Sequence, residues 1–413
     1  MNNGAGRTTR RRLLQGIVGG TVGLSLPGIL TRAGSVAQAA DSDLRVGWVR
    51  PLTGPLASSF EPLYFAGDLA INEINAAGGI LGRKLVKVEV DDEGSPAKQP
   101  IVMRQLLDQG VKFIVGPTGS SQAVSALEVT TPQKAIQCCI ANADELGDGK
   151  RFPYHFQFNF RNAYQAKQHA IYLKKAGVKK AGILVEDSAA GASSRDAMQA
   201  QLTANGIQIV DVETFPLRTP DMSPFLRKLR SEGAEAIDCH VSNNGDITQF
   251  LVGLSRLNWK PVVVGHYGLL FAGAPGAVPD SARYKDVYTT MFRELTYTDS
   301  EKPPQNVQDF ARKIMKATFA EAVFGQAITS PLYDFLYALK ATAEKAKSLE
   351  TDDIKKVFDS GFSVDGLFGP MSFTSENHTA YSPDLLTMAE VNSTEDAYSK
   401  EFKGLFRRRA PGM

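Results

Sequence analysis

From Leu44 onward, short apolar runs alternate with longer segments whose apolar residues recur every three or four positions. Leu44–Val49 reads as a buried strand, and the turn-rich Pro51-Leu52-Thr53-Gly54-Pro55 follows it. A helix from about Pro62 places Leu63, Ala66, Ala70 and Ile74 on one face, and Gly78-Gly79 ends it. Leu85–Val90 alternates as a strand does; Ser95-Pro96 then supplies an N-cap and first-turn proline for a helix that Gly110 stops. Strand Val111–Val115, helix Ser120–Lys134 and strand Ala135–Ile140 complete the set. This rhythm predicts an α/β fold with a parallel sheet covered by helices on both faces.

The rhythm restarts after the aromatic stretch Tyr154-His155-Phe156-Gln157-Phe158. Helix Asn162–Ala176, strand Ala181–Glu186, a helix closed by Asn205-Gly206 and strand Ile207–Phe215 come first. Ser223-Pro224 opens a further helix, followed by strand Ala236–Val241, helix Asp246–Leu257 and strand Val262–Val264. Two sets of similar length predict two lobes of one architecture. From Asp286 the pattern changes: one strand to Thr290, the linker Lys302-Pro303-Pro304, then helices near Gln305–Phe319 and Ser330–Lys347. A shorter helix and a hairpin near Phe362–Phe373 close the reading.

In an open α/β sheet the loops at the carboxyl ends of strands border the ligand crevice, so the chemistry is sought there. Gly116-Pro117-Thr118-Gly119-Ser120-Ser121 is a Gly-rich turn without the lysine of a phosphate loop or the GxGxxG spacing. It still offers a helix N-terminus with two hydroxyls, where Ser120 either donates to an anion or caps its own helix. The next loop, Ala141-Asn142-Ala143-Asp144-Glu145, faces the same space; Asn142 both donates and accepts, and Asp144 reads as a cap of a short helix. Second-half counterparts are Asp187-Ser188-Ala189, Ser242-Asn243-Asn244 and Gly265-His266-Tyr267-Gly268, with His266 and Tyr267 expected to be exposed between their glycines. No nucleophile, base and oxyanion set emerges, so no enzyme is expected.

Composition narrows the partners. The 413 residues carry 46 Lys and Arg against 44 Asp and Glu, and five of those bases lie in the first 39 residues. Without that segment the balance is 41 to 44, mildly acidic, which excludes a nucleic-acid footprint. The segment itself has Arg10-Arg11-Arg12-Leu13-Leu14, a glycine-rich apolar stretch and Ala37-Gln38-Ala39, and no acidic residue. It reads as an export signal of the twin-arginine kind cleaved near Ala39, too short and glycine-rich to stay as a membrane span. Only Cys138, Cys139 and Cys239 are present, no disulfide framework, and they are expected as small buried residues on strands. Neither a metal site nor a cofactor is expected from five histidines without ligand spacing.

Gly47-Trp48-Val49-Arg50-Pro51-Leu52-Thr53-Gly54-Pro55-Leu56-Ala57 and Ala70-Ile71-Asn72-Glu73-Ile74-Asn75-Ala76-Ala77-Gly78-Gly79-Ile80-Leu81-Gly82 resemble the branched-chain amino acid-binding proteins of ABC importers. Val90-Asp91-Asp92, Ser95-Pro96-Ala97-Lys98, Val115-Gly116-Pro117 and Gly369-Pro370-Met371-Ser372-Phe373 continue the resemblance in order. It implies a type I periplasmic binding fold: two Rossmann-like lobes joined by a three-strand hinge and closing on a small solute. The implied division is 43–160 with 290–368 for the first lobe and 161–289 with 369–400 for the second. The implied partners are a carboxylate, amide or amino-acid-like ligand and an inner-membrane permease, with the protein a periplasmic monomer; a ligand-sensing role beside a receptor is the alternative.

Carried over by residue, the resemblance puts the family's carboxylate-binding serine on Ser120 and the following hydroxyl position on Asn142. It puts a first-loop tyrosine on Ser59 beside Phe60, and two second-lobe aromatics near Ala190 and on Asn243. The acidic partner of a ligand ammonium falls on Tyr267. The candidate binding residues are therefore Ser59, Phe60, Ser120, Ser121, Ile140, Asn142, Asn243, His266 and Tyr267. A phenol is neutral at pH 7 and does not balance an ammonium, so the pattern leans away from ordinary zwitterionic amino acids unless Glu186, Asp187 or Asp144 reaches the cleft.

Overall fold

The computed structural model describes residues 43–54, 57–273, 278–317, 331–393 and 395–413. The export-signal reading of residues 1–39 and the end of the Gln305–Phe319 helix lie outside the described residues. Four parallel strands form the first sheet in the order β2 (Leu85–Asp91), β1 (Leu44–Arg50), β3 (Phe113–Thr118), β4 (Ile136–Ile140). The second sheet runs β13 (Leu386–Glu390), β9 (Val287–Phe292), β8 (Val262–Gly265), β7 (Ala236–His240), β5 (Lys180–Glu186), β6 (Gln208–Phe215). All its pairings are parallel except β13 against β9. Strands β3, β4, β7 and β9 are buried along their whole length, as strands covered on both faces must be, and are mostly apolar, with Gln137, Asp238 and His240 as buried polar exceptions on β4 and β7.

Helices α1 (Ala57–Ala76), α2 (Gln99–Asp108) and α3 (Ser120–Thr130) belong to the first lobe. Helices α4 (Asn162–Lys175), α5 (Ala189–Ala204), α6 (Ser223–Ser231) and α7 (Asn244–Arg256) belong to the second. Later helices α8 (Gln305–Ile314), α9 (Pro331–Ala346) and α10 (Thr351–Asp359) return to the first: Lys313, Tyr333 and Tyr337 all bond Glu73 of α1. Strand β9 stays in the second sheet through Phe292. A hairpin of β11 (Val364–Gly366) and β12 (Gly369–Met371) follows α10, tied down by the Leu367 N–H on the Asp334 carboxylate at 2.9 Å. Residues near 378 then bond the first lobe, with His378 N–H on the Gly147 carbonyl at 2.9 Å, before β13 rejoins the second sheet.

Three local expectations need correction. Helix α1 starts at Ala57, five residues ahead of Pro62, which sits inside it. The proline removes one backbone bond, but burial of Phe60, Leu63, Tyr64, Ala66 and Ala70 carries the helix through it. Ser95 caps nothing: its chain opens a 3₁₀ turn, Pro96–Lys98, and α2 begins after it. The anchor is Asp92 instead, which accepts from the Gly94 N–H at 2.9 Å and from Gln99 Nε2 at 2.8 Å. The antiparallel strand β13 was not expected at all.

The three cysteines are free and fully buried on β4 and β7, as small core residues. Among the described residues no helix is long and apolar enough to cross a membrane.

Candidate functional site

The site lies where the carboxyl ends of the two sheets approach each other. Gly119 opens α3 at φ 97° and its N–H is taken by the carbonyl of Ile140, the buried last residue of β4, at 2.9 Å. Ser120 does not cap its own helix. Its Oγ accepts the N–H groups of Asn142 at 3.3 Å and Ala143 at 3.1 Å, leaving the hydroxyl proton to donate. Asn142 is held on both sides: its Nδ2 donates to the Phe160 carbonyl at 2.7 Å, and its Oδ1 lies 3.5 Å from His266 Nε2 on the other lobe.

Ser121 reaches across as well, its Oγ accepting the Ala189 N–H at 3.2 Å. The first turns of α3 and α5 therefore meet, and neither turn contains an acidic residue. Ser188 caps α5 through the Gly191 N–H at 3.0 Å. Two helix N-termini aimed at one place concentrate partial positive charge there, the electrostatic condition for holding an anion.

His266 and Tyr267 are not exposed, contrary to the expectation from their flanking glycines: they are 4% and 3% exposed. Gly268 brings the loop down, since a Cβ there would stand 2.9 Å from the Val241 carbonyl oxygen. The Gly268 N–H donates to His266 Nδ1 at 3.0 Å, so the ring proton sits on Nε2 and points toward Asn142. His266 stacks between Tyr267 at 4.0 Å and His240 at 4.4 Å, and burial pushes both imidazoles down, His240 to about 3. Tyr267 packs edge-on to Phe160, its hydroxyl beside Asn159, and burial pushes that hydroxyl up.

The other candidates divide. Ser59 is buried in the first turn of α1, and Phe60 lines a pocket of about 310 Å³ with Arg50, Leu52, Glu61 and Tyr64. Asn243 is occupied as the cap of α7: its Oδ1 accepts the Asp246 N–H at 2.9 Å while its Nδ2 bonds the Asp246 carboxylate. Of the three acids named for an ammonium, two are engaged by protein donors and the third is exposed. Glu186 is buried and engaged by Ser242 N–H and Oγ and by Ser188 Oγ, and burial pushes its carboxyl up. Asp144 accepts the Ala163 N–H at 3.0 Å, so it does cap a helix, but α4 rather than the short one it begins; it also accepts from Ser193 Oγ. Asp187 is exposed.

Sequence reasoning missed Ser193, Ser194 and Asn159, and named Ser242 only as part of its loop. Ser188 was legible as a cap before a helix, whereas Ser193 and Ser194 sit mid-helix with no local signal. Ser194 Oγ lies 2.6 Å from His240 Nδ1, a pairing only the fold brings about.

Two open, parallel-rich sheets whose helix N-termini meet across a cleft are the build of a solute-binding protein of the type I periplasmic class. The chain belongs to the periplasmic binding protein family, whose model matches residues 43–396. It is 26% identical over 353 residues to Leu/Ile/Val-binding protein homolog 3 of Brucella melitensis, covering 84% of this chain and 91% of that one. The type 1 periplasmic binding protein of Bordetella pertussis Tohama I superposes with a TM-score of 0.73 at 22% identity, over 84% of this chain and 96% of that one. A solute-binding protein of an ABC transporter from Rhodopseudomonas palustris HaA2, in complex with p-hydroxybenzoic acid, gives 0.74 at 18% identity over 89% and 96%. The family is one of solute-binding proteins rather than enzymes, and its setting is the periplasm.

Proposed function

We propose that the protein captures a small organic acid between its two lobes and hands it to the permease of an ABC importer. The observation that carries this is the meeting of α3 and α5 at Ser121 and Ala189, with no acidic residue in either first turn. Ser120 adds a hydroxyl donor and His266 a ring N–H, both suited to a ligand oxygen. An ammonium group is disfavoured within the buried site, because Glu186 and Asp144 already accept from protein donors and the third acid, Asp187, is exposed. Solved proteins of the same fold hold a hydroxybenzoate in one case and leucine in another, so the choice between them rests on the site's own charges. Residues 1–39 act in this reading as the export signal, and the intact mass of the periplasmic protein tests cleavage after Ala39.

The test is a thermal-shift screen, followed by calorimetry, of the amino acids beside aromatic acids, keto acids and amides. Carboxylates lacking an ammonium are expected to raise the melting temperature, since a ligand that binds only the folded chain stabilises it. Micromolar binding of leucine, isoleucine or valine overturns the reading. With a carboxylate ligand in hand, Ser120→Ala is expected to weaken binding by about 1–2 kcal/mol, the scale of one hydrogen bond to a charged group.

A further inference from the structure

We propose that residues 397–413 form a strap across the hinge that restrains opening of the two lobes, a role separate from the solute they hold. The segment follows the part of the chain matched to the family and touches both lobes in turn. Its helix α11 (Ala397–Glu401) and the turn after it anchor on the first lobe. Phe402, Leu405 and Phe406 are 0–1% exposed and share one core with Phe310 and Ile314 of α8. The Arg312 guanidinium of α8 lies 5.3 Å from the Phe402 ring, and Lys302 sits over Tyr398 at 4.4 Å.

The chain then crosses. Strand β14 (Arg407–Arg408) pairs with β10 (Thr296–Tyr297), in the stretch that leads from β9 to α8. Beyond it the anchors belong to the second lobe. The Ala410 N–H donates to the Met388 carbonyl of β13 at 2.9 Å, and Lys175 of α4 donates to the Gly412 carbonyl at 2.7 Å. Ala410 is buried in a core with Ala170, Tyr172 and Val264 of that lobe. A hinge motion that separates the lobes must therefore stretch this segment or break one set of anchors.

The strap has a built-in weak point where it crosses. Arg407 is 1% exposed, yet among the described residues only its Nη2 has a partner, the Leu270 carbonyl at 3.3 Å. Its Nε and Nη1 find none among the described residues, and burial pushes the guanidinium down to about 10. A buried cation without a counter-ion opposes docking of the segment that carries it. The docked strap is thus held by its two ends and loosened at its centre, the arrangement of a restraint that yields when the lobes part.

The measurement needs no ligand, so it stands apart from the identity of the solute. Spin labels at Ile101→Cys on α2 and Glu232→Cys after α6 report the distance between lobes by pulsed dipolar spectroscopy, while the native cysteines stay buried and unlabelled. A chain ending at Arg409 keeps the aromatic anchors and loses those on Met388 and Lys175; its distance distribution is expected to broaden and shift to longer values. Lys175→Ala, which removes only the Gly412 anchor, is expected to do the same to a smaller extent and covers the case in which the shortened chain does not fold. Arg407→Met is expected to narrow the distribution and raise the melting temperature. Distributions identical to the full chain in the shortened protein, or in Lys175→Ala where that chain does not fold, overturn the strap. A broader one in Arg407→Met overturns the role given to its charge.

Discussion

Replacing Gly191 with alanine is expected to cost the fold about 3 kcal/mol or more, the upper end for overpacking a close-packed site. A Cβ at this position would stand 1.8 Å from the Glu186 carbonyl oxygen and 2.9 Å from its carbonyl carbon. Those are backbone atoms at the end of β5, held by their neighbours in the sheet, so no side chain can swing aside to make room. Helix propensity points the other way, since alanine is favoured over glycine in a helix by about 1 kcal/mol. The sign of the measured change therefore decides between the two effects. Urea denaturation of the two proteins provides it, and a variant as stable as the wild type contradicts the close approach. The same substitution displaces the first turn of α5, which carries the Ala189 N–H that meets Ser121, so it is expected to weaken solute binding as well.

That close approach shows what the sequence discloses and what it hides. Strands β3, β4, β5 and β7 were legible because a strand buried on both faces is short and mostly apolar, and Gly78, Gly110 and Gly206 marked where helices stop. Strand β13 was not, because Leu386-Thr387-Met388-Ala389-Glu390 is a strand only by pairing with distant β9, and nothing local announces that partner. The glycines around His266 and Tyr267 misled for a related reason. They were read as marks of an open loop, whereas Gly268 is small so that the loop can lie against the Val241 carbonyl. Ser120 and Asp144 were recognised as polar groups at strand ends, but their partners, the N–H groups of Ala143 and Ala163, come from neighbouring turns of the fold. Residue type was readable at the site; the direction in which each group spends its hydrogen bonds was not.

The same spending of hydrogen bonds sets the response to acid. His155 is fully buried, with Cys139 N–H donating to its Nε2 at 3.3 Å and its Nδ1 2.9 Å from the Leu146 carbonyl. A carbonyl only accepts, so the proton sits on Nδ1; a second proton on Nε2 would face the Cys139 N–H. Burial first, and the neighbouring His378 imidazole to a lesser degree, push His155 down to about 4 from its ordinary value near 6.5. The unfolded chain therefore takes up this proton before the folded one, and the stability His155 contributes is complete above about pH 6.5 and lost as pH falls toward 4. At about 1.4 kcal/mol per unit, the loss between pH 7 and pH 4.5 is about 2 kcal/mol. His155→Gln keeps an acceptor and a donor but does not titrate, so whatever advantage the wild type has at pH 7 is expected to shrink by that amount at pH 4.5. Buried Asp334, pushed up to about 6 by its burial, titrates in the same range with the opposite sign, but it does so in both proteins and cancels from the difference. Denaturation of both proteins at the two pH values measures this, and a gap that stays constant means His155 takes a proton as readily folded as unfolded.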